Sequence, residues 1–317
     1  MHILLVDDIH AVLLDKLHDA GFTCDYRPTI TRDEAGRIIA GYDGLIIRSK
    51  FQVDEAFLDL AVNLKFIARP GAGMDNIDED YAKSKGVRLF SANDGNKDAV
   101  GEHMIGMLLS LMNNLNRGHR EVCTSHWCRE ENRGYELKGR TVALIGYGHN
   151  GQAMAKKLSG FEVNVIAYDK YKTGFSDAYA KEVSMEEVVR QADVLSFHIP
   201  LTGETKGMVD DEYLFHFRKP IFFLMGARGG IVHIPSVLKY MDEGKILGAA
   251  FDVLPVERFP DLGETGWYTD LIARDNVLLS PHVAGWTFDS YYKLSDIIAD
   301  KIIDSYGNPP NSLAKSK

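Results

Sequence analysis

The sequence predicts an α/β protein with two doubly wound parallel sheets, and three observations support this. Short β-branched runs alternate with helix-like stretches along the chain. The runs are apolar through most of their length, which suits parallel strands covered by helices on both faces. The chain has 317 residues and is 45% hydrophobic, which corresponds to about two domains of ordinary size. A disordered or fibrous protein is excluded.

The strands are predicted in chain order from their apolar runs. Five lie in the first third of the sequence: HILLVDD, TCDYR, GLIIRS, LKFIARPG and VRLFSAND. Six follow after a long helix-like stretch from Lys97 to Asn116: TVALIG, VNVIAYD, ADVLSFHIP, IFFLMG, ILGAAFDV and NVLLSPH. The chain ends in a helical pattern from Ser290 to Tyr306, and residues 308–317 are expected to fray.

Two breaks in the pattern suggest the domain boundaries. Turn and capping residues lie at 91–98, and a second break lies near residues 284–287. The final helix has no strand of its own to cover, so we expect it to pack on the first domain. Residues 1–97 plus 285–317 would then form one domain around an inserted domain, 98–284.

Charge and cysteine content narrow the partners and the compartment. Lys and Arg number 36 against 45 Asp and Glu, a net charge of −9, and no basic block is present to bind a phosphate backbone. Three cysteines fit a reducing compartment better than a disulfide framework. The longest apolar stretch, 104–112, is far short of the roughly 18 residues of a membrane span. We expect a cytoplasmic protein without nucleic-acid or membrane partners.

A glycine motif predicts a dinucleotide site. Gly146, Gly148 and Gly151 form GxGxxG between a predicted strand and a helix, where glycine permits a tight turn, close approach of a pyrophosphate and helix–strand packing. Asp169 ends the next strand and is placed to accept hydrogen bonds from the ribose hydroxyls. Its carboxylate favours NAD over NADP, although Lys170 and Lys172 could partly offset the repulsion of a 2′-phosphate.

Three later strand ends carry ionisable residues, namely Arg228, Glu257 and His282. Taken singly, each suits a surface or structural role. In a doubly wound domain, however, ligands bind outside the carboxyl ends of the strands, so all three side chains are expected to converge near the nicotinamide end of a bound cofactor.

Together these segments resemble the D-isomer-specific 2-hydroxyacid dehydrogenases. The resemblance covers about residues 40–300 and is carried by GYGHNG with Asp169, then HIPLTGET, GARGG, FDVLPVE and SPHVAGW. It implies a Rossmann NAD-binding domain inserted into a flavodoxin-like substrate domain. It also implies that Arg228 binds the substrate carboxylate, that His282 is the general acid/base and that Glu257 orients His282.

The resemblance implies further cofactor contacts and shows two departures. Met225 stands where the family usually has Asn, and Arg258 where it usually has Pro. The implied contacts are His149, Asn150, Ile199, Pro200, Thr205, Gly226, Ala227, Asp252 and Gly285.

The first domain is similar to phosphoglycerate dehydrogenases in GLIIRS and KFIARPGAGMDNID. The resemblance implies that the loop of Gly71, Ala72 and Gly73 presents N–H groups to the substrate carboxylate, and that Arg48 and Arg69 bind a phosphate. Asn96 is a possible further contact. The alternative for each arginine is a solvated side chain at a strand end.

The sequence therefore predicts an NAD-dependent dehydrogenase of a D-2-hydroxy acid, with 3-phospho-D-glycerate as the first choice and a role in serine biosynthesis. One alternative changes the acid to hydroxypyruvate, glyoxylate or another short hydroxy acid. Another changes the class to an NAD-sensing binding protein similar to the corepressors that share this fold.

Two other patterns have simpler interpretations. A zinc site at His119, Cys123, His126 and Cys128 is disfavoured by the spacing, so no metal is expected. The methionine-rich stretch between Lys97 and Asn116 fits ordinary core packing or, by the family resemblance, a homodimer contact.

Overall fold

The computed structural model describes residues 1–307, and the expected frayed end, residues 308–317, lies outside the described part. The chain divides into two compact units. Met1–Asn96 and the segment from Trp286 form the flanking unit, and Lys97–Gly285 form the inserted unit. The expected boundaries, 97/98 and 284/285, each differ from these by one residue.

Twelve strands and thirteen α-helices are found in the described residues. The strands are β1 His2–Leu5, β2 Thr23–Tyr26, β3 Gly44–Ile46, β4 Phe66–Arg69, β5 Arg88–Ser91, β6 Thr141–Ile145, β7 Asn164–Tyr168, β8 Lys181–Glu182, β9 Val194–Phe197, β10 Ile221–Met225, β11 Ile246–Phe251 and β12 Val277–Leu279. The helices are α1 Ala11–Asp19, α2 Arg32–Ile38, α3 Glu55–Leu60, α4 Glu79–Ser84, α5 Lys97–Met112, α6 Leu115–Cys123, α7 His149–Leu158, α8 Met185–Gln191, α9 Asp211–Phe215, α10 Ile234–Asp242, α11 Asp261–Glu264, α12 Tyr268–Ile272 and α13 Phe288–Tyr306.

Both sheets are parallel throughout. The flanking unit has the strand order β2-β1-β3-β4-β5, and the inserted unit has the order β12-β11-β10-β9-β6-β7-β8. The direction of winding reverses between β1 and β3 in the first sheet and between β6 and β9 in the second, and ligands of such folds bind at these switch points. The predicted fold class is confirmed.

The final helix packs on the flanking unit. Thr287 begins it with a capping box in which its hydroxyl accepts a hydrogen bond from the Ser290 N–H. Leu294 and Ile298 are buried in one apolar cluster with Ile3 and Leu13. Burial of this apolar face, rather than pairing with a strand, holds α13 in place.

Two predicted elements differ from the structure. The helix expected from Lys97 to Asn116 ends at Met112, because Asn114 adopts a left-handed backbone (φ 52°) that asparagine tolerates better than most residues, and α6 begins after it. The short strand β8 was not predicted, since its two charged residues, Lys181 and Glu182, give no apolar signal.

The methionine-rich stretch lies in the core of the inserted unit. Met104, Met107, Leu108 and Met112 are at most 5% exposed and pack in one cluster with residues of β6 and α7. Ordinary packing accounts for these side chains. Among the described residues, no helix has both the length and the apolar character needed to cross a membrane.

Candidate active site

The glycine loop between β6 and α7 has the geometry of a dinucleotide site. Gly146 has φ 93°, and a Cβ at Gly151 would lie only 2.4 Å from the Gly146 carbonyl oxygen. The space beside Gly148 is open, and α7 begins there. A pyrophosphate can therefore approach the backbone at the helix N-terminus, where N–H groups favour an anion.

Asn150 adds a polar group to this loop. Its amide oxygen is buried and has no hydrogen-bond partner among the described residues. A buried acceptor of this kind usually has a partner, so the orphaned oxygen fits a site that binds a polar ligand. The residues of the loop thus fit the predicted cofactor.

Asp169 is held beside the glycine loop by main-chain donors. Its Oδ2 accepts a hydrogen bond from the Tyr147 N–H (2.9 Å), and its Oδ1 accepts one from the Tyr171 N–H (3.0 Å). A carboxylate has about four acceptor positions. The two contacts fix its orientation and leave acceptor capacity for two ribose hydroxyls.

Tyr147, the middle residue of the first Gly-x-Gly, supports the loop from inside the unit. It is fully buried, its hydroxyl donates to Asp177, and its ring stacks on Phe175 with centroids 5.2 Å apart. Burial and the Asp177 contact raise the pKa of this phenol. Tyr147 is not among the predicted site residues, although an aromatic side chain between two glycines is itself a signal.

The loop after β9 lies next to the glycine loop, because a Cβ at Gly146 would meet the Ile199 side chain at 2.7 Å. Within the β9 loop, the Thr205 hydroxyl donates to the Pro200 carbonyl (2.7 Å) and accepts from the Thr202 N–H (2.8 Å). Thr205 therefore closes this loop on itself.

His282 and Glu257 form a direct pair. His282 Nδ1 and Glu257 Oε2 are 2.9 Å apart, and both side chains are partly exposed. The Glu257 hydrogen bond raises the pKa of His282, and the charges of Glu257 and Asp252 act in the same direction, while burial and Arg228 oppose them. Because Nδ1 faces the carboxylate, Nε2 is the ring atom left to exchange a proton with a substrate.

Arg228 follows β10 in the same unit. Its Nη1 donates to the Ala227 carbonyl (2.8 Å), and its charge is close enough to affect the pKa of His282. Ala227 is buried, and the preceding Gly226 lies against the Met104 sulfur. The structure thus places the three predicted catalytic residues in the inserted unit, with His282 and Glu257 in direct contact.

Asp252 holds the turn that carries His282. Its carboxylate is 2% exposed and accepts hydrogen bonds from the Val283 and Ala284 N–H groups, both at 2.9 Å. Its carbonyl oxygen accepts from the His282 N–H at 2.8 Å. His282 has φ 55°, a conformation that non-glycine residues adopt only where the surroundings enforce it. The hydrogen bonds to Asp252 hold His282 in this conformation. Asp252 and Gly285, both predicted as cofactor contacts, thus lie at the turn that carries His282.

Two residues that the sequence analysis missed complete this network. The Ser280 hydroxyl donates to Asp252 Oδ1 (2.6 Å), and His103 Nε2 lies 2.9 Å from the same hydroxyl. Since the Ser280 proton is used for Asp252, His103 is the donor in this contact. His103 lies on α5, far from Ser280 in sequence, and no local motif connects the two.

In the flanking unit, Arg69 and Arg48 lie together at neighbouring strand ends. Arg69 Nε donates to the Arg48 carbonyl (2.7 Å), and Arg69 Nη1 donates to the Gly73 carbonyl. The Gly71 N–H donates to the Arg69 carbonyl (2.7 Å). Arg69 therefore organises the whole Gly71–Gly73 loop, Ala72 included.

Arg48 stacks on an aromatic ring. Its guanidinium carbon lies 3.9 Å from the centroid of the Trp286 ring, and Nη1 donates to the Asp8 carbonyl (3.3 Å). Burial lowers the pKa of Arg48, against the charges of Asp7, Tyr291 and Asp8. An anion that contacts the guanidinium would offset that loss of solvation.

The remaining predicted sites are an asparagine and the disfavoured zinc cluster. The buried amide oxygen of Asn96 has no hydrogen-bond partner in residues 1–307, which agrees with a polar ligand contact. Cys123 Sγ lies 3.7 Å from His119 Nε2 on α6, and His126 and Cys128 follow in a loop. Within the described residues, no group of three or more His, Cys, Asp or Glu side chains is arranged to hold a metal ion.

Comparison with known families identifies the family to which the chain belongs. Residues 105–284, more than half of the chain, match the model of the NAD binding domain of D-isomer specific 2-hydroxyacid dehydrogenases. The chain belongs to this family. It is an NAD-dependent oxidoreductase, and NAD is its cofactor.

The relatives of this chain are named for different substrates. The chain is 30% identical over 307 residues to D-3-phosphoglycerate dehydrogenase of Archaeoglobus fulgidus, a match that covers 96% of this chain but only 57% of that protein. It is also 30% identical over 278 residues to hydroxypyruvate reductase of Thermotoga maritima, covering 88% of this chain and 89% of the relative. The crystal structure of the TT0316 protein of Thermus thermophilus is similar with a TM-score of 0.83 and 26% identity, over 99% of this chain and all of that one.

Proposed function

We propose that this dehydrogenase interconverts 3-phospho-D-glycerate and 3-phosphohydroxypyruvate, a step of serine biosynthesis in the cytoplasm. The observation that carries the proposal is the presence of two arginines, Arg48 and Arg69, at neighbouring strand ends beside the Gly71–Gly73 loop, where Arg69 Nε donates to the Arg48 main-chain carbonyl (2.7 Å). Two guanidinium groups suit a phosphate because they offer charge-assisted hydrogen bonds to its oxygens. A phosphate responds to the charges nearest to it, so two nearby guanidinium groups can attract it in a protein whose net charge is −9.

The chemistry is assigned to the inserted unit. In the oxidative direction His282 takes the proton of the 2-hydroxyl as the C2 hydride leaves, and in the reductive direction it returns that proton. NAD, when bound, supplies the hydride acceptor. Glu257 orients the imidazole and stabilises its protonated form, and Arg228 binds the carboxylate of the substrate through its planar fork.

The first alternative keeps the reaction and changes the acid to hydroxypyruvate, glyoxylate or another short D-2-hydroxy acid. It is favoured by the 30% identity to a hydroxypyruvate reductase over 89% of that relative's length. A panel of 2-keto acids with NADH, with phosphohydroxypyruvate among them, distinguishes the two. Equal use of hydroxypyruvate and the phosphorylated acid would contradict the proposal.

The second alternative is an NAD-sensing binding protein without turnover. The paired His282 and Glu257 argue against it, because an oriented imidazole is needed for proton transfer and not for binding NAD. The same keto-acid panel decides, since a binding protein would bind NADH and oxidise none of it.

We further propose that the protein is a homodimer. The methionines of α5 lie in the core, so we assign the contact instead to exposed apolar side chains on α6, which follows α5 in the chain, and on the loop after it. Leu115, Val122 and Trp127 are 57%, 54% and 84% exposed, and exposed apolar side chains of this size are candidates for an interface between subunits. Light scattering at micromolar concentration should give twice the chain mass of 35.4 kDa, whereas a monomer would contradict this proposal.

A further inference from the structure

A side-chain bridge connects the two loops that flank the glycine loop. In the sheet, β6 lies between β7 and β9, so the segments after β7 and β9 lie on either side of the loop after β6. Lys170 Nζ lies 2.7 Å from Glu204 Oε2, and the Tyr171 hydroxyl donates to the same oxygen at 2.6 Å. Lys170 and Tyr171 follow β7, and Glu204 belongs to the loop after β9.

This bridge lies next in sequence to the residue assigned to the adenosine ribose. Asp169 immediately precedes Lys170, and a 2′-phosphate on that ribose would carry a charge of about −1.5 to −2. Sites that accept such a phosphate supply a cation for it. Lys170 and Lys172, which follow Asp169 in sequence, are therefore the candidate cations for a 2′-phosphate.

Both lysines are already engaged. Lys172 Nζ donates to the Tyr147 carbonyl of the glycine loop (2.9 Å), and Lys170 is paired with Glu204. The Lys170 contact lowers the pKa of Glu204, and the Glu204 contact raises the pKa of Lys170, so both groups are charged at neutral pH. A 2′-phosphate would have to compete with Glu204 for the ammonium group while approaching two carboxylates.

We propose that Glu204 is a cofactor-specificity residue, which disfavours NADP by holding the Lys170 ammonium group. The preference for NAD then depends on two residues in different loops, Asp169 and Glu204, which are 35 positions apart in sequence. Asp169 repels the 2′-phosphate directly, and Glu204 removes the cation that would attract it. This inference does not depend on which 2-hydroxy acid is the substrate.

The test is a comparison of dissociation constants for NADH and NADPH, measured by nucleotide fluorescence at low ionic strength without any keto acid. Glu204→Gln keeps a hydrogen-bond acceptor for Tyr171 but removes the charge. We expect it to tighten NADPH binding about two- to fivefold, the size of effect typical of an exposed ion pair, and to leave NADH binding unchanged. Added salt should reduce the gain.

Two further variants make the comparison specific. Lys170→Ala combined with Glu204→Gln should lose most of the gain, because the freed ammonium is its main source. Glu186→Gln, at an exposed position in the first turn of α8, removes the same charge from the same unit and should change neither dissociation constant.

Three results would overturn the proposal. The first is an unchanged NADPH affinity in Glu204→Gln. The second is an equal gain when Lys170 is absent, which would assign the effect to general charge alone. The third is a parallel loss of NADH and NADPH affinity, which would show that Glu204 holds the loop and does not select the cofactor.

Discussion

The two units hold their functional residues in different ways. In the inserted unit, the turn of His282 is fixed by main-chain hydrogen bonds to buried Asp252, and the imidazole is oriented by Glu257. In the flanking unit, Arg48 is held by a stack on Trp286, and Arg69 by hydrogen bonds to carbonyl groups. In the inserted unit a buried carboxylate therefore fixes the backbone that carries His282, whereas in the flanking unit the two guanidinium groups are held only by contacts of their own long side chains.

This difference explains why the reaction class is easier to recognise than the substrate. Main-chain geometry requires particular residues at fixed spacing, so it leaves motifs such as SPHVAGW. A pair of arginines can bind a phosphate, a carboxylate or a neighbouring carbonyl with little change in sequence. Mutations in the two units should therefore have distinguishable effects.

The largest effect is expected in the inserted unit, at His282. Replacement by Ala should reduce turnover at least about 100-fold, because general acid–base catalysis contributes about 10²–10⁴. NADH binding should survive, since the glycine loop is untouched. Steady-state rates and NADH fluorescence titration measure the two properties, and turnover near the unmodified rate would refute the role of His282 as proton donor.

The next effect tests the flanking unit. Arg48→Ala and Arg69→Ala should each reduce kcat/KM for phosphohydroxypyruvate about 10- to 100-fold, since a charge-assisted hydrogen bond contributes about 1.5–3 kcal/mol. Activity on hydroxypyruvate, which has no phosphate, should change far less in Arg48→Ala. Arg69→Ala should lose some activity on both acids, because Arg69 also organises the Gly71–Gly73 loop, and the larger loss on the phosphorylated acid reports the phosphate contact.

Arg37→Ala is the matched control, because Arg37 is an exposed arginine of the same unit and should affect neither substrate. Equal losses on both substrates in the Arg48 and Arg69 variants would remove the phosphate assignment. The D-2-hydroxyacid dehydrogenase activity would remain.

Replacement of Glu257 is expected to have a smaller effect, which should appear as a shift in the pH dependence of activity. Glu257 raises the pKa of His282, and reduction of the keto acid needs protonated His282, so activity in that direction falls as pH rises through this pKa. Glu257→Gln should move that alkaline limb to lower pH. If the limb shifts by about one pH unit, activity at pH values above it should be about tenfold lower than in the unmodified protein.

Profiles of kcat/KM against pH check this result, with Glu264→Gln, an exposed site on α11, as the control. An alkaline limb that stays in place in Glu257→Gln would show that another group sets it.

The smallest effect concerns cofactor choice. The unmodified protein should prefer NADH to NADPH, and Asp169→Ala should narrow the ratio of the two dissociation constants by about fivefold, since two like charges about 4 Å apart in water repel by about 1 kcal/mol. An unmodified protein that bound NADPH as well as NADH would contradict the prediction and point to Lys170 or Lys172 as phosphate ligands.

Most of the fold could be predicted because apolar runs and glycine turns are local signals. The eleven predicted strands are present, and the errors lie where local signals fail, at the left-handed Asn114 and the two-residue strand β8. The glycine loop and the pair of His282 with Glu257 were also accessible from motifs.

The supporting contacts could not be predicted, because they join residues distant in sequence. His103 contacts Ser280 across 177 residues, and Glu204 reaches back 34 residues to Lys170. Neither His103 nor Glu204 differs by type or local context from an ordinary surface residue. Only the folded structure shows that His103 lies beside Ser280 and that Glu204 lies beside Lys170.

The stack of Arg48 on Trp286 provides the protein with an internal optical reporter. The chain has three tryptophans, and within residues 1–307 Trp286 is the one that contacts a guanidinium group assigned to the substrate phosphate. Indole emission responds to the charge and polarity at its face, so an anion bound at Arg48 will alter the Trp286 signal. In a protein whose other two tryptophans are Phe, occupancy of this position becomes measurable by fluorescence without turnover, cofactor or label.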